Sequence, residues 1–491
     1  MKLRFSINAS MSLKVGRVTP CAPQFGHRQT ARRGLARPTQ PGSRSQRGSV
    51  LVIVMLIAFG LISMALYFAN AMTLELRASD NRTSGLSANQ AIEGAARYVN
   101  YVLTTYATNG AMPDFTEYQA EAVPVGNARA PEQNAHFWII GRDPAGTPSS
   151  APYFSLVDEG SKLNLNRVDS NTLACLPNMT LDFADAIVDW RDTNGTMSLN
   201  YSQLGYLPKH SPFETVDELR LVYGATADLL AGEDINRNGV LDANENDANG
   251  NSTVDSGLLE YVTLYNREPN FHSDGTALTN ATDPAALRGL LQTYLGASRA
   301  SQILANLGYL PGGRGGGGTP TPATNLVQFF LRSQMTSAEL GLILNDITFT
   351  TGTFTRGRVN INTAGAAVLN ALFLGIGVDQ STAAGASQQL VNYRQQNPNN
   401  LTSIGWLVDA LGSGSSVVTA LRRGDYITTR SFQFTADIAA TGAYGRGYQR
   451  VKFVFDVSEG TPRIVYRQDL SRLGWALGTK TRETWVTQNT P

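Results

Sequence analysis

The chain has 491 residues, of which 42% are hydrophobic and 16% are charged, as is typical of a globular protein with two or three domains. Its net charge of +1 is the sum of a basic N-terminal segment and an acidic remainder, because Met1–Gly48 hold ten of the 40 Lys and Arg residues and no Asp or Glu. The remaining 30 basic residues face 39 acidic ones, a net charge of −9, which disfavours nucleic acid and anionic lipid as partners. Of the two cysteines, Cys21 lies in the basic leader and Cys175 stands alone in the body, which excludes an internal disulfide there.

A membrane span is predicted directly after the leader. Ser49–Leu74 are 26 consecutive uncharged residues, enough at ~1.5 Å per helical residue to cross a bilayer core of about 30 Å. The basic residues before the span predict a cytoplasmic N-terminus and a body on the outer side. A cleaved secretory signal ending near Ala69 and Ala71 is the alternative, but its apolar core is expected to be shorter.

Helical spacing of apolar and small residues continues past the span, through positions such as Leu86, Ala91, Ala95 and Val99. The pattern predicts one helix of about 55 residues, whose second half packs an apolar stripe on a sheet. Strands are predicted at Ala122–Val125, His136–Asp143, Tyr153–Gly160, Ile427–Thr435, Arg450–Val457 and Arg463–Arg467.

Between these strands the pattern becomes helical. The expected fold class is α+β: a long N-terminal transmembrane and amphipathic helix on a small antiparallel sheet, with a large inserted all-α domain. The predicted boundaries are a leader at 1–48, the span at 49–74, first strands within 75–165, the insert at 166–425, closing strands at 426–472 and a tail at 473–491. Within the insert, the Gly- and Pro-rich residues 311–323 are predicted to be a linker.

The insert contains an internal repeat. "KLNLNRVDSNTLACL" from Lys162 matches "RVNINTAGAAVLNAL" from Arg358 at an offset of 196 residues. The two copies, 158–225 and 356–423, are predicted to be helix-hairpin-helix or SAM-like units. Function does not follow from such a fold alone.

The strongest chemical signal is "DINRNGVLDANE". Its oxygen-bearing positions have the spacing of a twelve-residue calcium loop, with Gly239 at the sharp turn. The predicted ligands are Asp234, Asn236, Asn238, Val240, Asp242 and Glu245. No His or Cys lies near, so the hard oxygen set favours Ca²⁺ over zinc. The alternative is an Asx-rich surface loop that binds no ion.

A second stretch follows, "DANGNSTVD", and offers a possible second metal site. The candidate ligands are Asp247, Asn249, Asn251 and Asp255. Gly250 is out of register and no Glu occupies position twelve, and a second ion could share Glu245.

The N-terminus resembles that of type IV pilin-like proteins, in which prepilin peptidase cuts after a glycine that precedes an uncharged helix. Here the resemblance places the cut between Gly48 and Ser49 and implies methylation of the new N-terminus. The resemblance extends through "VDEGSKLNLNRVDSNTL", "AIVDWRDTNG", "SPFETVDELRLVYG" and the closing segment from Ser431. These segments are similar to the large minor pseudopilin of type II secretion, general secretion pathway protein K, a family that binds calcium in its helical domain.

Two departures qualify this resemblance. Most pilin-like proteins have Glu at the fifth mature position, whereas here it is Ile53, which fits the minor pseudopilin that caps the tip. A leader of 48 residues is long for the family. A start codon assigned too far upstream would explain this length.

The resemblance implies a non-enzymatic subunit that initiates and caps the periplasmic pseudopilus, anchored by a single pass in the inner membrane. The expected partners are the other minor pseudopilins, the major pseudopilin, prepilin peptidase and the secretion platform. The secretin and exoprotein cargo are further candidate partners. The alternative is a DNA-uptake or type IV pilus protein, because "VNINTA" and "LGIG" also occur in DNA-binding helix-hairpin-helix units. The two copies carry opposite charge, −5 and +3, so nucleic-acid binding is not expected.

Overall fold

The computed structural model describes residues 49–488 except 107–109, 111, 114–119, 127–129, 144–145, 147–148 and 311–321. The leader, with Gly48, and all but the last two residues of the predicted linker lie outside this description. The chain divides into two compact units, Met1–Ala71 and Met72–Pro491.

The long N-terminal helix predicted from the sequence is confirmed as α1 (Ser49–Tyr106). Within the described residues it is the one helix long and apolar enough to cross a membrane. Its apolar side chains from Val50 to Leu76 are exposed, as a lipid-facing surface requires. The later helices are α2 (Ser170–Ala174), α3 (Leu181–Arg191), α4 (Ser198–Gln203), α5 (Ala227–Ala231), α6 (Pro284–Asn306), α7 (Leu326–Ser333), α8 (Ser337–Ile343), α9 (Ala366–Gly375), α10 (Gln380–Gln396), α11 (Gly405–Leu411), α12 (Ser416–Leu421) and α13 (Gly478–Gln488).

The strands in chain order are β1 (Val123–Val125), β2 (Ala135–Ile140), β3 (Val157–Asp158), β4 (Leu163–Asn164), β5 (Val262–Thr263), β6 (Arg267–Pro269), β7 (Thr279–Asn280), β8 (Ile347–Thr348), β9 (Phe354–Arg356), β10 (Val359–Asn360), β11 (Ile427–Thr428), β12 (Gln433–Thr441), β13 (Gln449–Asp456) and β14 (Arg463–Asp469). The main sheet is antiparallel, in the strand order β1-β2-β12-β13-β14, and β3 also pairs with β12. Together with α1 the sheet confirms the α+β class.

The second half of α1 packs on one face of this sheet. Alanines at helical spacing allow close approach, and larger side chains between them reach the strands. The shared core comprises Ala88, Ala91, Ile92, Ala95, Val99 and Leu103 of the helix and Phe137, Ile139, Phe434, Ala436, Ile438, Phe453 and Phe455 of the sheet. On the other face, Trp138, Ile140 and Ala439 pack against Ala476 and Leu477, which precede α13.

The insert lies between β3 and β12, and the prediction that it is all-α is wrong. Short strand pairs occur within it: β4 with β5, β6 with β9, β7 with β8, and β10 with β11. The predicted strand Ile427–Thr435 is in fact two strands, β11 in the insert and the start of β12 in the main sheet. Two-residue strands carry no readable alternation, so hydrophobic periodicity does not detect them.

Two adjacent carboxylates anchor the insert to the sheet. Asp158 accepts hydrogen bonds from Asn360 Nδ2 at 2.9 Å and from the hydroxyls of Thr363 and Ser431. Glu159 accepts from the hydroxyls of Thr263 and Thr435. Both carboxylates are buried, so neighbouring donors must replace the water they lose.

The two repeat copies have matching hydrogen bonds. In the first copy Arg191 donates to the carbonyls of Leu165 and Val168. In the second, Arg394 donates to those of Ile361 and Ala364, the residues 196 positions later. The strands β4 and β10 are likewise each paired in parallel with one later strand. Their likeness to helix-hairpin-helix or SAM-like units stays a prediction.

Candidate metal centre

The first acidic loop, Asp234–Glu245, follows α5 and folds around its own side-chain oxygens. Asp234 accepts hydrogen bonds from the amides of Asn238 at 2.8 Å and Gly239 at 2.9 Å. Asn236 Oδ1 accepts from Asn238 N at 3.0 Å, and Asn238 Oδ1 accepts from Val240 N at 2.9 Å. These bonds turn alternate side chains toward one point, as a calcium loop requires.

Glu245 closes the loop from position twelve. Its Oε1 accepts from Asn236 N at 3.1 Å and its Oε2 from Asp242 N at 3.0 Å. Asp242 Oδ2 accepts from the side-chain amides of Asn236 at 2.6 Å and Asn238 at 2.9 Å. All the predicted side-chain ligands therefore lie in one small site, and Val240 at position seven is buried beside them.

Backbone geometry explains the glycine at position six. Gly239 has φ +81°, a conformation that glycine adopts without strain. A Cβ there would lie 3.0 Å from Arg142 Cδ, so the arginine also needs the space.

Charge in the first loop is only partly balanced by the protein. Burial raises the pKa of Asp234, against the opposing effect of Arg142, whose Nη2 lies 3.8 Å from Asp234 Oδ2. Burial also raises the pKa of Glu245. Asp242 brings a third carboxylate to the same site, so a bound cation would relieve the cost of burying them.

The second loop repeats these hydrogen bonds thirteen residues later. Asp247 accepts from the amides of Asn251 at 3.1 Å and Ser252 at 2.9 Å. Asn249 Oδ1 accepts from Asn251 N at 3.0 Å, and Asn251 Oδ1 accepts from Thr253 N at 2.7 Å. The four predicted side chains also converge, because the side-chain amides of Asn249 and Asn251 both donate to Asp255 Oδ2.

The register of the second loop differs from expectation. Position six is occupied by Ser252, which adopts φ +58°, and Gly250 lies at position four with φ +71°. Arg237 occupies position four of the first loop and also has a positive φ, of +58°. The backbone thus takes the same path in both loops although the glycine has moved.

The carboxylate missing from the second loop comes from outside it. Glu233 Oε1 accepts from Ala248 N at 2.7 Å and Oε2 from Asp255 N at 3.1 Å, much as Glu245 bridges two amides of the first loop. Sequence reasoning missed Glu233, because it precedes both loops, and proposed Glu245 as a shared ligand instead. An isolated bridge between Gly232 and Ser256 brings Glu233 into place.

The oxygen chemistry of each candidate ligand set suits Ca²⁺. Among the residues with described positions, no group of three or more His, Cys, Asp and Glu side chains could hold a metal ion. In each loop, however, two Asn side chains stand between the carboxylates, and amide oxygens are ordinary calcium ligands.

One glycine of the second-copy hairpin is used for packing. A Cβ on Gly375 would overlap Thr172 Oγ1 of the first copy, so close approach of the two copies requires glycine there. The first glycine of "LGIG", one of the two motifs on which the DNA-binding alternative depends, thus has a structural reason.

At the predicted processing junction, Ser49 is the first residue of α1, and Gly48 lies outside the described residues. Ile53 is 57% exposed on the first turns of this helix.

No protein-family model matches the sequence, and no curated protein matches it. Among solved structures, it is similar to a chain of the GspK-GspI-GspJ complex from the type 2 secretion system of enterotoxigenic Escherichia coli. That alignment covers 80% of this chain and 99% of the other, at 11% identity and a TM-score of 0.37.

Proposed function

We propose that this chain is a non-enzymatic minor pseudopilin of a type II secretion system, similar to general secretion pathway protein K. The observation that carries the proposal is the arrangement around α1. A basic leader ends in Gly48, an apolar helix begins at once, and its second half packs on an antiparallel sheet. Prepilin peptidase would cut between Gly48 and Ser49 and leave a single-pass protein with its body in the periplasm.

The apolar residue at the fifth mature position supports a place at the tip of the pseudopilus. A buried terminal ammonium in a helical bundle needs a carboxylate partner, and Ile53 cannot supply one to a neighbouring subunit. The subunit would initiate and cap the pseudopilus with the other minor pseudopilins, above the major pseudopilin. The secretion platform, the secretin and exoprotein cargo are further proposed contacts.

The proposal includes Ca²⁺ at both loops as a structural element. Each loop would hold an ion through its Asp and Asn oxygens, closed by Glu245 in the first loop and Glu233 in the second. A bound ion supplies positive charge to carboxylates that otherwise repel each other, and it stabilises loops that lose chain entropy on folding.

Processing tests the proposal. Gly48→Leu should give a precursor that is inserted but uncut, because a bulky residue would block the peptidase. Gly60→Leu is the matched control, since a Cβ there has open space around it, and it should be cut normally. N-terminal sequencing that still finds Ser49 first in Gly48→Leu would contradict the proposal.

A deletion strain separates the two candidate systems. Loss of this chain should leave exoproteins in the periplasm, and the wild-type gene should restore their release. Normal secretion combined with lost DNA uptake or pilus assembly would favour the alternative.

A further inference from the structure

The first calcium loop also lies against the sheet and the C-terminal segment, and there it shows a feature that calcium binding alone does not require. Asn236 Nδ2 donates to the carbonyl of Trp475 at 3.3 Å, and Asn238 Nδ2 donates to that of Ala476 at 3.2 Å. Both asparagines are buried. A side-chain amide can give its oxygen to a cation and its nitrogen hydrogens to acceptors.

The segment that receives these hydrogen bonds covers one face of the sheet. Ala476 and Leu477 pack on Trp138 and Ile140. The Trp475 ring lies 5.0 Å from that of Tyr448, and its Nε1 donates to Gly478 O at the start of α13. The loop amides therefore stabilise the segment from which α13 begins.

Arginines hold the backbone of the same loop to the sheet. Arg450 of β13 is fully buried and pairs with Asp437 of β12 at 2.6 Å. Its guanidinium also donates to the carbonyls of Asn236 and Arg237. Arg142, after β2, donates to the Arg237 carbonyl at 3.2 Å and pairs with Glu260 at 2.8 Å.

The second loop makes a useful contrast. Its Asn249 and Asn251 are exposed, and their side-chain amides donate to Asp255 within the loop. The same internal fold thus occurs once against the sheet and once at the surface. Of the two loops, only the first has side-chain amides that donate to another segment of the chain.

We propose that Asn236 and Asn238 act as a latch, through which the calcium-bound first loop holds residues 475–477 and α13 against the sheet. This inference rests on the proposed calcium binding, and it adds a segment of the chain whose position calcium would control. With the loop ordered, both amide nitrogens face the Trp475 and Ala476 carbonyls. When its carboxylates repel one another, the loop loosens, the two hydrogen bonds are lost, and α13 is released.

The test uses Asn236→Asp/Asn238→Asp in the full chain in detergent micelles. Aspartate keeps an oxygen ligand at loop positions three and five but cannot donate to the two carbonyls. Asn249→Asp/Asn251→Asp is the matched control in the second loop. Each protein is compared in calcium chloride and in a chelator. Hydrogen–deuterium exchange of residues 475–488 measures how firmly this segment is held, and calorimetry measures calcium binding.

In the wild type and in the Asn249→Asp/Asn251→Asp control, calcium should slow exchange of 475–488 at least tenfold. In Asn236→Asp/Asn238→Asp the effect should fall below twofold even at a calcium concentration that calorimetry shows to be saturating for that variant, because neither aspartate can donate to the two carbonyls. Retained slowing in that variant, or equal exchange with and without calcium in a wild type that binds it, would overturn the latch. A flat wild-type titration would instead overturn the calcium binding on which the latch rests.

Truncation after Gly474 gives a second readout in case the substituted loop does not fold. Coupling between two sites is reciprocal, so loss of the carbonyl acceptors should weaken calcium binding at the first loop about fivefold or more. Affinity at the second loop should not change. Equal affinity at the first loop in the truncated and full chains, with the circular dichroism of the remaining fold intact, would contradict the latch.

Discussion

The two acidic loops have nearly the same internal structure in different surroundings. Asp234 and Asp247 each accept two backbone amides at equivalent positions, and the asparagines that follow form the same turns. The first loop buries Asp234, Asn236, Asn238 and Asp242 and is bonded to the sheet. The second loop is largely exposed. The loop sequence therefore specifies the loop fold. The residues around the loop determine which other parts of the chain the loop stabilises.

The largest effect on stability is expected at the contact between Arg450 and the backbone of the first loop, which the second loop lacks. Arg450→Met should lower the free energy of unfolding by about 3–5 kcal/mol, because Asp437 would be left buried without its partner. Urea unfolding in micelles followed by tryptophan fluorescence measures this. The double variant Arg450→Met/Asp437→Leu should recover much of the loss, and a single variant as stable as the wild type would show that the loop is not held there.

Removing ligands from the first loop should have the next largest effect. Asp234→Ala/Glu245→Ala should abolish a calcium-dependent stabilisation of about 3–4 kcal/mol, the linkage expected at a few hundred to a thousand times the dissociation constant. Asp247→Ala is the matched change in the second loop. Its effect should be smaller, because an exposed loop supports less of the surrounding fold. Unchanged heat and melting in the first variant would contradict the calcium assignment.

A more modest effect is expected at Glu233, the carboxylate that sequence reasoning missed. Glu233→Gln should weaken the second site about tenfold or more, since it removes the proposed bidentate closing carboxylate. The first loop should keep its affinity. Calorimetry resolves the two sites, and an unaltered second site would show that Glu233 only caps backbone amides.

The smallest effect concerns pH. Burial raises the pKa of Asp234 and Glu245, so in the ion-free protein they favour the fold at low pH and lose that contribution as the pH rises through the raised values. Calcium binding requires their ionised forms. The first-loop affinity should therefore fall about threefold to tenfold from pH 7 to pH 5. A pH-independent affinity would contradict this reading of the loop.

Much of the fold could be predicted because its signals are long or periodic. The uncharged run from Ser49 and the small residues after it predicted α1, and short β-rich runs predicted the strands near Phe137 and Phe453. The strand pairs inside the insert could not be predicted, because two residues show no period. The division near Ile427 was missed because β11 and β12 follow each other in sequence but pair with different strands.

The candidate site shows the same limit. Ligands within the first loop could be read from their spacing, since consecutive loop positions fix the side-chain directions. Glu233 could not, because its role depends on a backbone bridge that returns the chain to Gly232. The contacts of Asn236 and Asn238 with residues 475 and 476 join positions more than 230 residues apart, and loop spacing contains no information about them.

The most direct measurement is a calorimetric titration of the full chain with calcium chloride in micelles. The wild type should bind two ions, Glu233→Gln should lose or strongly weaken one, and Asp234→Ala/Glu245→Ala should lose the other. A wild type that gives no binding heat and no rise in melting temperature with calcium would contradict the account.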